Sequence, residues 1–137
     1  MTDLIEPNIF IRHVTADDPI RSSLATQVIN EIATEQRDGY ITAAGVAEIV
    51  YTLQSPRRYG IPRTTIRSTI LPLIQLEKMH LDHKGHFPEI FDLYVVTRTD
   101  FVDCYHAVLA RALRMNKVVT LDKRHFKRFG FIPYGCP

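Results

Sequence analysis

The stretch DFVDCYHAVLARALRMNKVVTLD, residues 100–122, has the pattern of a helix, then a strand, then an acid. A helix is predicted from Asp100 to about Met115, with a bulky packing stripe of Tyr105, Val108, Leu109 and Ala112. KVVTL, residues 117–121, is short, rich in β-branched side chains and bounded by charge, which predicts a strand. Asp122 follows that strand directly. A helix feeding a strand in this way is typical of an α/β fold.

The rest of the chain alternates in the same manner. Further helices are predicted over residues 16–39, 43–55, 64–78, 88–96 and 123–129, and further strands over residues 3–5, 40–42 and 79–81. Strands separated by helical segments predict an α/β domain whose mainly parallel central sheet is covered by helices on both faces. No linker, repeat or low-complexity tract interrupts the pattern, so residues 1–137 are expected to form a single domain.

Several local features are expected to define these elements. Pro7 splits the first apolar run, so residues 8–11 read as the end of a strand and the turn leaving it. Asp17 or Asp18 is expected to cap the next helix, with Pro19 at its first position and Gly39 as its stop. The inward stripe of that helix is predicted to be Ile20, Leu24, Val28 and Ile32.

Composition limits the class of protein and suggests a charged partner. No apolar run approaches the roughly 20 residues of a membrane span, and the N-terminus lacks the pattern of a secretory signal, so a cytoplasmic protein is expected. Cys104 and Cys136 have no zinc-site spacing. The net charge is only +2, but basic residues dominate from residue 104 onwards. That imbalance indicates either a polyanionic partner or a solvated basic surface.

Four acids stand where ligands collect in such folds, near the carboxyl ends of parallel strands. Glu6 and Asp122 each follow a predicted strand, Asp103 lies in the first turn of a helix, and Glu48 lies in the first half of another. Carboxylates gathered into one pocket remain ionised only if a hard cation neutralises them. Oxygen ligands favour Mg²⁺ or Mn²⁺.

Each acid also has a purely structural interpretation. Asp100 is a natural N-cap, and Asp103 stands three positions later, where an acid interacts favourably with the helix dipole. Glu48 fits the flank of a helix, and Asp122 fits the start of a turn. The spacing alone leaves both interpretations open.

Taken in order, four segments resemble the PIN-domain nucleases and, within them, the VapC-like toxins of toxin–antitoxin pairs. The segments are EPNIFIRHVTADDP (6–19), ITAAGVAEIVYTLQS (41–55), DFVDCYHAVLARALRMN (100–116) and KVVTLDKRHFKRF (117–129). The resemblance implies a three-layer α/β/α fold and a metal-dependent endoribonuclease that hydrolyses RNA phosphodiester bonds. It also implies a homodimer and a cognate antitoxin that inhibits it, as in type II pairs.

By motif position, the resemblance assigns catalytic roles to Glu6, Glu48, Asp103 and Asp122. Glu6, Asp103 and Asp122 would bind Mg²⁺ or Mn²⁺, with Asp100 a weaker candidate for the same pocket. Asn8 and Thr120 would stand beside them as polar helpers. Basic residues suggest phosphate contacts, namely Arg12, Arg124, Arg57, Arg58, Arg63 and Lys127.

The first motif departs from the family pattern, because Glu6 stands where the family usually has Asp. The extra methylene moves the carboxylate by about 1.5 Å, and Mg²⁺ tolerates little distortion of its octahedral geometry. An alternative is therefore a catalytically weakened PIN-like module that binds RNA or a protein.

Three further groups of side chains each have a functional and a structural interpretation. HLDHKGH, residues 80–86, has histidines at three-residue steps, which suits either a zinc site or a solvated loop. His106 and His125 lie near the acids in sequence and are either proton carriers or surface side chains. Tyr59 lies among arginines and either stacks on a base or packs its own loop.

Overall fold

The structure is a computed structural model that describes residues 1–129 and 132–134. The chain forms two compact units, Met1–Phe87 and Pro88–Pro137. Each unit has its own sheet, and every strand pair in the described residues is parallel. The expected α/β class with parallel pairing is therefore confirmed, with the strands in two sheets.

The first unit is built on a three-stranded sheet in the order β1–β2–β3. Its strands are β1 (Thr2–Leu4), β2 (Asp38–Tyr40) and β3 (Met79–His80). Its helices are α1 (Pro7–Thr15), α2 (Pro19–Ala33), α3 (Ala43–Gln54) and α4 (Arg63–Ile74). Helix α1 packs against α2 and α3, and α4 packs against α3 and β3.

The first helix was not predicted. Residues 8–11 are helical rather than a strand end and turn, because Pro7 occupies the first position of α1, where its missing N–H costs no hydrogen bond. The helix ends at Thr15, and Ala16 adopts a left-handed conformation with φ 51°. Phe10 and Ile11 are buried and attach the helix to the core.

The inward face of α2 differs from the predicted stripe. Ile20 and Leu24 are 75% and 59% exposed, whereas the buried residues are Ser22, Ala25, Ile29 and Ile32. A strict four-residue spacing drifts around a helix of 3.6 residues per turn, while alternating steps of three and four stay on one face. For α3 the prediction is confirmed, since Val46, Ile49, Val50 and Leu53 are all buried.

Gly39 is not the stop of α2, which ends at Ala33 with Thr34 as its C-cap. Gly39 instead lies within β2 and pairs with Met79. A Cβ on Gly39 would lie 2.9 Å from both Ile32 Cδ1 and Ile5 Cγ1, so the residue permits a close approach of side chains to the strand.

The second unit follows a 3₁₀ turn at Lys84–His86. Its elements are α5 (Phe87–Thr97), α6 (Phe101–Ala112), β4 (Lys117–Val119), α7 (Lys123–Arg128) and β5 (Ile132–Tyr134). Strands β4 and β5 pair in parallel, and Lys117 lies opposite Ile132. A small core joins these elements through Ala107, Phe126 and Phe129, with Leu93, Ala110 and Val118 against it. Among the described residues, no helix is long and apolar enough to cross a membrane.

Candidate active site

In the first unit, Glu6 and Glu48 lie on elements that leave the sheet at one edge. Glu6 follows β1 and is the N-cap residue of α1, yet its exposed side chain makes no capping hydrogen bond. Glu48 is the sixth residue of α3, which follows β2, and its side chain is also exposed. Because β1 and β2 are parallel, α1 and α3 both begin at the carboxyl edge of the sheet.

Asn8 and Arg12 lie four residues apart on α1, and both line a cleft of about 330 Å³. The Arg12 Nη1 atom donates to Asp17 Oδ1 at 2.9 Å, and the Tyr59 hydroxyl donates to Asp17 Oδ2 at 2.6 Å. These bonds, first from Tyr59 and then from Arg12, lower the pKa of Asp17 to about 2. Arg12 is thus part of a fixed polar network, and Tyr59 is engaged through its hydroxyl.

In the second unit, Asp103 and Thr120 line one cleft of about 430 Å³. Asp103 is the third residue of α6 and is half-buried, as expected for a first-turn acid. His106 lies one turn further along α6 and lines the same cleft, as does Lys117 at the start of β4. Lys117 was not predicted as a site residue, although its place at the start of the strand that precedes Thr120 and Asp122 was a usable signal.

Thr120 lines the cleft and also contacts Asp122, which lies three residues after the end of β4. The Asp122 backbone N–H donates to the Thr120 hydroxyl oxygen at 2.9 Å, which fixes the turn that carries the exposed Asp122 side chain. Arg124 is exposed on the following helix α7. The side chain of His125 lies outside the described part of the chain.

Asp100 does not cap α6 through its side chain. It occupies the N-cap position, but it makes no side-chain capping hydrogen bond. The predicted N-cap position is therefore confirmed, but the Asp100 carboxylate does not bond the free amides of the first turn.

The chemistry of the predicted donors fits a hard divalent cation, since all four side chains offer only carboxylate oxygens. Within the described ranges, however, no three His, Cys, Asp or Glu side chains are grouped closely enough to hold a metal ion. The same finding applies to the histidine loop, where His80 instead bonds Asp38 at 2.9 Å and Asp82 accepts from Tyr40 at 3.1 Å. The joint site of Glu6, Glu48, Asp103 and Asp122 remains a prediction.

The PIN domain family profile matches residues 4–132, which is nearly the whole chain. The protein therefore belongs to the PIN domain family. Its helices and parallel strands are consistent with the predicted three-layer α/β/α fold. PIN domains are generally nucleases that use divalent metal ions, so the resemblance found in the sequence is confirmed at the level of the family. No curated protein matches the chain.

Proposed function

We propose that this protein is an Mg²⁺- or Mn²⁺-dependent endoribonuclease that hydrolyses RNA phosphodiester bonds. One observation carries the proposal: in a chain of the PIN family, acids follow parallel strands in the first and fourth motif segments, with Glu6 after β1 and Asp122 after β4. Asp103 adds a half-buried carboxylate in a cleft of nucleotide size.

Glu6, Asp103 and Asp122 would hold the ion, and Glu48 would act beside them. When bound, such an ion offsets the negative charge that develops during phosphodiester hydrolysis and makes water more acidic. The protein's own contribution is to place the RNA. Arg12 and Arg124 supply positive charge for the phosphates, and Asn8 supplies an amide for hydrogen bonding.

The cleft of the second unit supports this role through its lining. Thr120 accepts the Asp122 N–H, which leaves its hydroxyl hydrogen for donation to a phosphate oxygen. Lys117 brings positive charge to the same cleft. Apolar side chains that include Leu109, Val118 and Phe126 line the same cleft beside those polar groups.

Cleavage of a structured RNA by the purified protein tests the proposal. We expect cleavage with Mg²⁺ or Mn²⁺, loss of cleavage with EDTA, and a fall of about 100-fold or more in the Asp103→Asn variant. Glu77→Gln, which removes the same charge from an exposed side chain outside the motifs, is the matched control. Cleavage that persists in EDTA would remove the proposed mechanism.

Glu6 favours one alternative, a PIN-like module that binds RNA or a protein without cutting. The Glu6 side chain is longer than the usual Asp and is carried at the start of α1 by a backbone that Pro7 restricts. RNA affinity of the Asp103→Asn and Asp122→Asn variants distinguishes the two functions. If the wild type binds RNA without cutting it, and both variants retain that affinity, the alternative replaces the nuclease.

We further propose that the protein acts in the cytoplasm as a homodimeric toxin, held inactive by a cognate antitoxin of a type II pair. The support is the likeness of the four motif segments to VapC-like toxins. Expression of the wild-type chain in bacteria is expected to arrest growth, whereas expression of Asp103→Asn is not. Equal growth of the two cultures, at equal protein levels, contradicts the toxin role.

A further inference from the structure

The cleft of about 330 Å³ in the first unit has the composition of a small anion site. Asn8 and Arg12 face it from α1, and Arg58 and Tyr59 face it from the loop after α3. We propose that this cleft is a subsite for one phosphate of single-stranded RNA, in which Arg12 and Arg58 contact the phosphate while Asp17 and Tyr59 position Arg12. The proposal rests on RNA being the substrate.

Arg12 is held by Asp17 but keeps N–H donors for a ligand. Its Nη1 atom donates to Asp17 Oδ1 at 2.9 Å, and its side chain stays 28% exposed. A guanidinium has five N–H donors in a fixed planar fork, so this contact leaves donors for a phosphate oxygen. A guanidinium already held in one orientation loses less conformational freedom when it binds an anion.

Asp17 serves as the fixed point of the network. Besides the bond from Arg12, it accepts a hydrogen bond from the Tyr59 hydroxyl at 2.6 Å, and Thr15 Oγ1 lies 3.0 Å from Asp17 Oδ1. Tyr59 lies 42 residues further along the chain, so the bond ties the loop after α3 to the end of α1. The neighbouring Asp18, not Asp17, caps α2 by accepting from the Arg21 N–H. Asp17 is therefore available for a positioning role.

The loop that carries Arg58 and Tyr59 is ordered by its own backbone. The Ser55 carbonyl accepts from the N–H groups of Arg58, Tyr59 and Gly60 at 3.0, 3.1 and 2.9 Å. Gly60 has φ +58°, a left-handed conformation that glycine adopts without strain. The loop therefore has a defined backbone, and it places Arg58 in the lining of the cleft.

Charge and size identify the ligand class. Two arginines against one aspartate give the cleft a net charge of +1, which matches the single negative charge of a phosphodiester. The volume lies at the lower end of the roughly 300–1,000 Å³ typical of ligand pockets. A single phosphate with its adjoining sugar is the ligand that we assign to this cleft.

Asp17→Asn is the decisive variant, because a diffuse positive patch and a positioned Arg12 predict opposite changes in RNA affinity. The affinity of a fluorescein-labelled single-stranded oligoribonucleotide is measured in EDTA, with its integrity checked on a gel. Removing a negative charge beside an anion strengthens binding if the cleft is only a patch of diffuse charge. If Asp17 instead positions Arg12, the variant loses that orientation and binds RNA about tenfold more weakly, as for the loss of a hydrogen bond to a charged group. Unchanged or tighter binding overturns the proposal.

Tyr59→Phe repeats the test at constant net charge. It removes only the hydroxyl that bonds Asp17, and we expect weaker RNA binding with an unchanged far-UV circular dichroism spectrum. Wild-type affinity in this variant contradicts the positioning role of Tyr59, even if Asp17→Asn proves unstable.

Arg58→Ala and Arg57→Ala form a charge-matched pair, since both side chains are exposed but only Arg58 lines the cleft. Arg58→Ala is expected to weaken binding more and to reduce the slope of log K against log salt by about 0.7. Equal losses in the two variants overturn the subsite. Binding is measured without cleavage, so the two proposals can fail separately. If the wild type does not cleave RNA but Arg58→Ala still loses more affinity than Arg57→Ala, the nuclease function is contradicted and the subsite is not.

Discussion

His13 illustrates how burial of a single side chain couples stability to pH. It is half-buried on α1, and its Nδ1 atom lies 2.9 Å from Thr26 Oγ1 on α2. Desolvation lowers the pKa of His13 below the ordinary value of 6.5. The unfolded chain therefore binds a proton more readily than the folded protein. Stability from the neutral imidazole is present above pH 6.5 and is lost as the pH falls through the lowered pKa.

Replacing His13 with Gln is expected to flatten this dependence, because glutamine does not titrate. Thermal midpoints of the wild type and of His13→Gln are compared at pH 7.5 and pH 5.5. The wild type should lose more of its midpoint than the variant between these two conditions. An identical decline in both proteins would assign the pH dependence to other groups.

The substitution Gly39→Ala tests how closely side chains pack against β2. Alanine there would bring a Cβ within 2.9 Å of Ile32 Cδ1 and Ile5 Cγ1, so we expect overpacking. The free energy of unfolding should fall by about 1–3 kcal/mol, measured by urea denaturation. Gly85→Ala is the control, since its Cβ would have no atom within 4 Å. A loss at Gly85 as large as that at Gly39 contradicts the packing account.

Sequence reasoning succeeded at residues whose role is local. Asp18 and Pro19 begin α2 as predicted, because capping and a fixed φ depend only on neighbours in the chain. It failed at Ile20 and Leu24, which are exposed although apolar, because burial depends on which elements pack against the helix. The role of Gly39 could not be predicted for the same reason, since its close neighbours Ile5 and Ile32 are distant in sequence.

At the scale of elements, two helix starts with the same residue type behave differently. Asp18 accepts from the Arg21 N–H at 3.1 Å, whereas Asp100 makes no side-chain capping bond at the start of α6. Asp18→Ala should therefore lower the free energy of unfolding by about 1 kcal/mol, and Asp100→Ala by clearly less. Chemical denaturation of both variants measures the difference. A larger loss for Asp100→Ala would reverse the assignment of the caps.

Element prediction was most accurate where pattern and boundary agreed. Helix α6 and strand β4 fall within the predicted ranges, because an amphipathic run is followed directly by a short β-branched segment. Pro72 lies in the last turn of α4, and the helix continues to Ile74. Strand β5 was not predicted, since three residues around Pro133 carry little strand signal and depend on pairing with β4.

For the whole molecule, the prediction of a single domain can be tested by the cooperativity of unfolding. The chain contains two compact units, and a single domain of residues 1–137 should nonetheless unfold in one two-state transition. We expect the calorimetric and van't Hoff enthalpies to agree. Two separate transitions would show that the units unfold independently and would correct the prediction.

The functional assignment came from the sequence only in part. The four acids were predicted from the order of four motif segments along the chain. The match to the PIN domain family confirms the family, and the joint role of the acids stays a prediction. The network of Arg12, Asp17 and Tyr59 was not identifiable, because its members are up to 47 residues apart and no periodicity joins them. Contacts of this kind arise only from the packing of whole elements.

We propose that Glu6, Asp103 and Asp122 together bind a divalent cation, and a direct measurement of Mn²⁺ binding tests this without reference to activity. Electron paramagnetic resonance of the free ion, titrated against the protein, gives the number of bound ions and their affinity. We expect the wild type and Glu77→Gln to bind Mn²⁺ saturably. The Mn²⁺ affinity of Asp103→Asn and of Asp122→Asn should be lower by at least about tenfold. Equal Mn²⁺ binding by all four proteins, or none by the wild type, would contradict it.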